Sequence, residues 1–167
     1  MSNQNKEPVK PTWWGAFKRR LMRWADRRQQ HAVEDLLKHV HACERRGQAA
    51  SAESAAGALG WSGHRAVKVI ASVEAHGYIR STTRGLELTN EGKQLAVNVI
   101  RAHRLWERYL ADEAGMALTR VHAEANRREH YRTDEQVNQL DAALGHPLKD
   151  PHGDPIPTAG GTLPPYA

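Results

Sequence analysis

Two short stretches of this 167-residue chain place histidine and acidic side chains at helical spacing. In the first, His103 and Glu107 are four residues apart, so both project from one face of a helix. In the second, His122, Asn126 and the pair Glu129-His130 follow one another at offsets of four, seven and eight residues, which again defines one face. Imidazole, carboxylate and amide oxygen suit manganese, iron, cobalt, nickel or zinc ions. The two stretches therefore predict two facing helices that hold one or two divalent ions.

Two other interpretations apply to the same residues. The chain contains ten histidines, so a His–Glu pair on a helix also arises by chance as ordinary helix surface. A metal held by histidine and glutamate can also activate water in an enzyme. However, no nucleophile, phosphate-binding loop or substrate-pocket pattern accompanies these residues in the sequence. We therefore expect no catalytic residues and no enzymatic activity.

The elements that would position these residues are predicted to be mostly helical. Hydrophobic periodicity and turn residues predict a hairpin with strands 78–81 and 86–89, and helices over 31–46, 51–59, 63–75, 90–113, 118–130 and 134–144. In the helix over 63–75, the residues expected to face inward are Val67, Ile70, Ala71 and Val73. A helix, a helix-turn-helix and a hairpin in this order form a winged helix-turn-helix.

The second helix of such a pair enters the major groove of DNA, with its first turns nearest the bases. Those turns carry four side chains that can donate hydrogen bonds to base edges or phosphates: Ser62, His64, Arg65 and Lys68. The hairpin offers Arg80 and Arg84 as phosphate contacts. The alternative is that these residues form the charged outer face of a winged helix that binds another protein.

The N-terminal segment is distinguished by its charge. Residues 1–31 hold eight Lys or Arg residues against two acidic ones, a net charge of +6, whereas the rest of the chain sums to −1. Residues 1–11 have the composition of a disordered leader. Residues 13–30 combine tryptophan with arginine and lysine, a composition that suits a membrane–water interface. The alternative for residues 13–30 is an extra helix that packs on the domain and touches DNA phosphates.

Cellular compartment is indicated by three features of the sequence. No run of about 18 apolar residues is present, and the N-terminus lacks the pattern of a secretion signal. The single cysteine, Cys43, lies in an amphipathic stretch and is expected to be a buried structural thiol. A lone cysteine is typical of a reducing compartment, so we expect a cytoplasmic protein.

From about residue 33 to residue 157 the chain resembles the diphtheria-toxin-repressor and manganese-transport-regulator (DtxR/MntR) family of metal-dependent transcriptional regulators. Five motifs carry the resemblance, in the family's order and spacing: Leu88–Gly92, Val99–Leu110, Val121–Ala125, Glu129-His130, and Gly145–Pro147 continuing through Pro151–Pro157. The resemblance implies a mostly α protein, in which a winged helix-turn-helix DNA-binding domain is followed by a helical metal-binding and dimerisation domain.

The resemblance also implies roles for individual residues. It implies an ancillary metal site, of the type found in the iron-dependent branch, formed by His103, Glu107 and His122. Glu129 and His130 match primary-site ligands shared by both branches. Asp35 matches a position that is methionine in the iron sensors and aspartate in the manganese sensors, and an oxygen ligand there favours manganese. The implied cofactor is Mn2+ or Fe2+, with Zn2+ as a further candidate.

Two positions depart from the family pattern. Asn126 stands where the family usually has cysteine or glutamate, and it would be a neutral, weaker ligand. Lys38 stands where the manganese branch has a second acidic ligand, and its charge argues against a two-ion manganese site. Three further polar residues lie near Asp35 and are interpreted as solvent-exposed helix surface: Glu34, His39 and His41.

The sequence thus predicts four segments: a basic, tryptophan-containing extension (1–30), a winged helix-turn-helix (31–89), a metal-binding and dimerisation domain (90–146) and a Pro/Gly-rich tail (147–167). The predicted function is a metal-dependent repressor of divalent-metal homeostasis genes that binds double-stranded DNA as a homodimer. Its dimer surface is expected to include Leu140 and Leu144. The alternative is a metal-sensing module at the membrane that acts with a metal-transporter permease through residues 13–30 and binds no DNA.

Overall fold

The computed structural model of the chain describes residues 27–130 and 132–162. Its elements, in chain order, are α1 (Arg27–Arg45), α2 (Ala52–Leu59), α3 (Gly63–Ala75), β1 (Ile79–Thr82), β2 (Gly85–Leu88), α4 (Asn90–Asp112), α5 (Leu118–Arg128) and α6 (Asp134–Ala143). The mostly helical fold with a winged helix-turn-helix followed by a helical half is confirmed. The predicted leader over 1–11 and most of the basic segment over 13–30 lie outside the described residues.

Helix α1 is already helical at Arg27, the first described residue and four residues before the predicted start, so it includes the end of the basic segment. Its apolar face packs Leu36, Leu37 and Val40 into the core with no exposure to solvent. Cys43 is on the same face and is buried, as the sequence predicted. Helix α1 thus contributes more apolar side chains than any other element to the core of the winged helix-turn-helix.

The helix-turn-helix is fixed by local hydrogen bonds. Ser51 and Ser54 form a reciprocal capping box at the start of α2, and Gly60 ends that helix in the left-handed region with φ 64°. Ser62 then caps α3, its side-chain oxygen accepting a hydrogen bond from the backbone N–H of Arg65. These caps set the turn that places α3 across α2.

The buried face of α3 differs from the prediction. Ala66, Ile70 and Val73 face the core, whereas Val67 is 58% exposed and Ala71 is exposed as well. The prediction that Val67 and Ala71 face inward is therefore wrong. Residues 66, 70 and 73 repeat at intervals of four and three, and each of the two misplaced residues lies one position, or about 100°, beyond that stripe.

The hairpin follows α3, and each strand is displaced by one residue towards the turn relative to the predicted bounds, with the pairing register unchanged. Ile79 pairs with Leu88 and Thr82 pairs with Gly85, so the turn has only two residues. Gly85 adopts φ 118°, which side chains other than glycine rarely tolerate. Ala50 adds an isolated antiparallel bridge to Leu86, which attaches the hairpin to the segment before α2.

Helix α4 contributes to three apolar clusters along its length. Its first turns place Leu95 and Val99 in the core of the winged helix-turn-helix. Its middle packs Leu105 against Val137 of α6. Its last turns pack Leu110 against α5. The helix that bears His103 and Glu107 therefore belongs to both halves of the protein.

The segment after α6 packs back onto α4. Ile156 is buried in the middle cluster, and the Arg104 guanidinium donates a hydrogen bond to the carbonyl of Pro155. The Asp150 carboxylate lies 3.7 Å from the Arg104 Nε and accepts the backbone N–H groups of His152 and Asp154. The Pro/Gly-rich tail thus packs on α4 over residues 147–162.

The start of α4 depends on a close approach between two backbones. Thr89 caps the helix by accepting the N–H of Gly92, and its hydroxyl donates to the carbonyl of Gly77. A Cβ atom added to Gly92 would lie 1.9 Å from the carbonyl oxygen of Tyr78. Only glycine fits at this position, which explains the glycine of the Leu88–Gly92 motif.

We predict that Gly92→Ala lowers the free energy of unfolding by more than about 2 kcal/mol, because the helix must move away from the Tyr78 backbone. The measurement is urea unfolding followed by circular dichroism. Gly57→Ala in α2 is the matched control, since no atom lies within 4 Å of its added Cβ. We expect that control to be neutral or slightly stabilising. Equal stability of the two variants would contradict the close packing at Gly92.

Candidate functional site

The first candidate cluster joins α4 to α5. His103 and Glu107 are one turn apart on α4 and are both buried, while His122 reaches them from α5 and is largely exposed. The Glu107 Oε1 lies 3.0 Å from the His103 Nε2 and 2.9 Å from the His122 Nδ1. The two imidazole nitrogens are 3.1 Å apart. The predicted i, i+4 face and its partner on the second helix are thus brought together.

These three donor atoms fit a divalent ion. An ion with donors at about 2.1 Å in octahedral geometry holds neighbouring donors about 3 Å apart. The three interatomic distances in the cluster, 2.9 to 3.1 Å, match one triangular face of such a polyhedron. Two imidazoles and one carboxylate are also the donor types that manganese, iron and zinc accept. The exposure of His122 leaves the outer side of this face open to solvent ligands.

The charge state of this cluster follows from its hydrogen bonds. Burial disfavours the Glu107 carboxylate, but hydrogen bonds from His103 and His122 outweigh it and lower the pKa of Glu107 to about 2. Burial likewise opposes protonation of His103, yet hydrogen bonds to Glu107 and Glu129 raise the pKa of His103 above its ordinary value. The carboxylate is therefore ionised, and an ion binding here would exchange with protons on the imidazoles.

The second candidate cluster joins α1 to the end of α5. Helix α5 ends at Arg128, so Glu129 caps it and His130 follows in the turn, rather than lying within the predicted helix. The His130 Nε2 lies 3.3 Å from the Asp35 Oδ1 and 3.5 Å from the Glu129 Oε1. Donor atoms of these three residues all fall within 4.8 Å of one another.

Lys38 enters this second cluster from α1. Its ammonium nitrogen lies 2.7 Å from the Glu129 Oε1 and donates a longer hydrogen bond, 3.3 Å, to the Asn126 Oδ1. The other carboxylate oxygen of Glu129 accepts a hydrogen bond from the His103 Nδ1 at 2.5 Å. Both Glu129 oxygens and the Asn126 oxygen are therefore engaged. In this arrangement the second cluster offers a metal ion fewer available donors than the first.

The interpretation of Glu34, His39 and His41 as solvent-exposed helix surface is wrong. Glu34 and His41 are each only 4% exposed, and His39 is partly buried with its ring nitrogen 2.9 Å from the Ser54 hydroxyl. The missed signal is that Glu34, Lys38 and His41 follow at intervals of four and three on α1, a polar stripe along one helix face. That stripe faces α5 and a cleft beside α4.

Glu34 is the closest acidic partner of His130. Its Oε2 accepts a hydrogen bond of 2.6 Å from the His130 Nδ1. Burial favours the neutral imidazole, but hydrogen bonds to Asp35 and Glu34 prevail and raise the pKa of His130 to about 9. His130 is therefore an imidazolium in this arrangement. Any metal bound through His130 would have to displace that proton.

The cleft beside α4 brings in the tail, which sequence reasoning did not connect with the site. It has a volume of about 440 Å³ and is lined by residues of α1, α4, α5 and the tail. His152 and Asp150 lie on its tail side, and the His152 Nδ1 is 3.9 Å from the Glu107 Oε2. The only sequence signal for this proximity was the Pro151–Pro157 motif itself.

The predicted DNA-contacting residues of α3 form one exposed surface. Ser62, His64, Arg65 and Lys68 are all exposed at the start of the helix. The Arg65 guanidinium lies over the Trp61 ring, 5.1 Å from its centroid, which holds the side chain in one region of space. The exposed Val67 lies among them and is a residue that the sequence analysis had placed in the core.

The predicted hairpin contacts are exposed but share an acidic neighbour. Arg84 lies 3.0 Å from the Glu87 carboxylate, and Arg80 lies 4.0 Å from it. The hairpin tip therefore has a smaller net positive charge than its two arginines indicate. Exposed pairs of this kind contribute little to stability, so phosphates can compete for these arginines.

Comparisons with known proteins agree with this geometry. Residues 89–158 match the family described as the iron-dependent repressor, metal-binding and dimerisation domain. The diphtheria toxin repressor of Corynebacterium glutamicum is 37% identical over 77% of this chain, and the iron-dependent repressor IdeR of Mycobacterium bovis is 36% identical over 75%. A solved manganese-dependent transcriptional repressor in complex with manganese superimposes with a TM-score of 0.72, 33% identity and 80% coverage of this chain.

Residues 89–158 belong to the iron-dependent repressor family, and the chain is similar to DtxR/MntR regulators over about three quarters of its length. The chain spans 57% and 55% of the two curated relatives and 62% of the solved manganese-dependent repressor. The names of these relatives describe repressors and give no support to the membrane-associated alternative. Among the helices over residues 27–130 and 132–162, none is long and apolar enough to cross a membrane.

We predict that His41 makes the protein less stable in mild acid. Burial lowers the pKa of His41 to about 4 from 6.5, so its contribution is complete above pH 6.5 and is lost as pH falls toward 4. Between pH 7.5 and pH 5, His41 should account for a loss of roughly 2 kcal/mol in the free energy of unfolding. The measurement is urea unfolding in chelator at both pH values.

The His41→Leu variant should lose less stability than the wild type over this pH interval. His146→Asn is the control, because His146 is 73% exposed beside Asp141 and Asn tolerates its positive φ of 56°. That control should follow the wild-type pH dependence. An identical loss in His41→Leu and the wild type would show that the folded protein accepts a proton at His41 without cost.

Proposed function

We propose that this protein is a metal-dependent, DNA-binding transcriptional repressor of divalent-metal homeostasis genes that acts as a homodimer. The observation that carries the proposal is the triangle of donor atoms from His103, Glu107 and His122, with edges of 2.9 to 3.1 Å. An exposed helix with the position and side chains of a recognition helix supports it in the same chain. The names of the relatives, which are iron- or manganese-dependent repressors, agree.

We assign the metal to the first cluster. When bound there, the ion would replace protons on the imidazoles and join α4 to α5. Glu107 supplies the ionised carboxylate, and Glu129 accepts a hydrogen bond from the His103 Nδ1 so that the Nε2 faces the cluster. The donor set favours Mn2+ or Fe2+, and it also accepts Zn2+. The other predicted ligands, Asp35, Asn126 and His130, lie in the second cluster, where the Lys38 ammonium already contacts Asn126.

We assign DNA reading to α3 and the hairpin. In this assignment Arg65 pairs with a guanine edge, and His64 and Lys68 reach bases or phosphates. Val67 adds an apolar contact for a thymine methyl group. Ser62, Arg80 and Arg84 contribute phosphate contacts that set the register on the duplex. In a homodimer two such helices would read half-sites about one helical turn apart.

The proposal also assigns a role to each segment of the chain and to the dimer surface. Residues 31–89 form the DNA-reading unit, residues 90–146 form the metal-binding and dimerisation unit, and residues 147–162 brace α4. Leu140 and Leu144 of the α6 region are partly buried against the middle apolar cluster, and their outer sides are proposed to contact the partner chain. A function for residues 1–30 in DNA or membrane contact stays a prediction from the sequence.

Metal responsiveness requires a difference in affinity between two arrangements of the chain. A ligand shifts a conformational equilibrium only if it binds one state more tightly than the other. Helix α1 connects the DNA-reading helix with the metal-binding region. It packs in one core with α3, and it also contacts Glu129 and His130 beyond α5. A change in the spacing of α4 and α5 would therefore reach the reading helix through α1.

The test is binding of the purified protein to a pool of promoter fragments, first in chelator and then with Mn2+, Fe2+ or Zn2+. We expect one of these ions to raise the affinity at least tenfold, and His122→Ala to abolish that increase. His122 is largely exposed, so its removal should not affect folding. His146→Asn should behave as the wild type. Metal-independent binding, or no binding under any ion with an intact fold, would exclude a metal-dependent repressor.

A second experiment separates phosphate contacts from base reading. Lys68→Ala should weaken binding by a similar factor on all sequences and reduce the slope of log affinity against log salt by about 1. Val67→Ser should leave the salt slope unchanged and relax the preference for thymine at one position of the site. Lys149→Ala, which removes an exposed lysine of the tail, should change neither quantity. A change in salt slope for Val67→Ser would contradict these roles.

A further inference from the structure

The second cluster already contains a cation that belongs to the protein. The Lys38 ammonium lies between α1 and α5, 2.7 Å from the Glu129 Oε1 and 3.3 Å from the Asn126 Oδ1. Its side chain is 22% exposed, whereas Glu129 is fully buried. The lysine thus approaches the cluster from the solvent side and ends on its most buried carboxylate.

The most buried carboxylate of this region, that of Glu129, is compensated without an additional ion. Three carboxylates meet here, from Glu34, Asp35 and Glu129, and they face the Lys38 ammonium and the His130 ring. A fully buried carboxylate is strongly unfavourable unless it has a cationic or hydrogen-bonding partner. Glu129 has partners on both oxygens, with Lys38 on one and His103 on the other.

We propose that the Lys38 ammonium is a tethered substitute for a divalent ion at the cluster of Asp35, Glu129 and His130. The side chain neutralises Glu129 and joins α1 to α5, the two elements that an ion at this place would otherwise connect. The chain consequently binds one ion fewer than its ligand-type residues indicate. This inference rests on the proposed function only for the ion in the first cluster.

Two physical effects support the proposal that the Lys38 ammonium takes the place of a divalent ion. An ammonium group within hydrogen-bonding distance of Glu129 repels a divalent ion placed among the same carboxylates. It also takes up the Asn126 oxygen, which would otherwise be a free donor at the position one turn before His130. Withdrawal of Lys38 into solvent would free both groups, but it would leave Glu129 with a single close partner.

The same ion pair connects the two clusters. Because Lys38 fixes one oxygen of Glu129, the other oxygen is held toward the His103 Nδ1. That hydrogen bond orients the opposite nitrogen of His103 toward Glu107 and His122. Lys38 is therefore a positioning residue for the first cluster as well as the cation of the second.

The test counts bound ions in Lys38→Gln, Lys38→Arg and the wild type by equilibrium dialysis against Mn2+ and elemental analysis. Lys38→Gln removes the charge and offers an amide oxygen beside Asp35, Asn126, Glu129 and His130. We expect it to bind one Mn2+ per chain more than the wild type. Lys38→Arg keeps the charge and should match the wild type, as should Lys149→Gln, an exposed lysine far along the chain in the tail.

A second readout is the thermal midpoint in chelator. Lys38→Gln should unfold at a lower temperature than Lys38→Arg, and Mn2+ should abolish this difference because the ion then takes the place of the ammonium. If Lys38→Gln is unfolded in chelator, recovery of its helical circular dichroism on addition of Mn2+ supports the proposal. Failure to recover, an unchanged ion count, or an unchanged midpoint in chelator would overturn it.

The experiment also separates this inference from the proposed function. If the wild-type protein binds no ion, the metal-dependent function is excluded. An ion bound only by Lys38→Gln would still support the role of Lys38. A wild-type protein that binds the same number of ions as Lys38→Gln would overturn the role of Lys38 and leave the metal-dependent function standing.

Discussion

Burial of the Glu129 carboxylate is the constraint on which the rest of the arrangement depends. An ionised group without exposure to solvent must be surrounded by cations and donors, and here they come from different elements. Lys38 reaches it from α1 and His103 from α4, while the residue itself ends α5. Satisfying this one side chain therefore fixes three helices relative to one another. The reading helix is included through its shared core with α1.

The relation between sequence and structure differs from element to element. Helical periodicity predicted α4 almost residue for residue, because its apolar face is continuous and Thr89 caps it. It failed for α3, where Val67 lies just outside a narrow buried stripe of three residues. A helix that contacts the core through few side chains leaves its inward face weakly specified by composition. The exposed valine was found only when the packing of α3 against α2 was known.

In the candidate site, too, the sequence predicted some contacts and missed others. The spacing of His103 and Glu107 indicated one shared face, and the geometry agrees. The contribution of Glu34 was missed, because a charged residue on a helix near the chain's basic segment was assigned to solvent by default. Its close partner is His130, which follows α5 and lies 96 residues away in sequence. Local patterns carry no information about such a neighbour.

Helix α4 lies in all three apolar clusters, and this has a consequence for the energetics of the whole protein. Substitutions on its buried face affect packing in both halves, so their free energies should not add to those of neighbouring substitutions in either half. The winged helix-turn-helix has no core that is independent of this helix. Unfolding of the described residues is therefore cooperative across the boundary between DNA reading and regulation. Evolutionary change in one half constrains which changes the other half can accept.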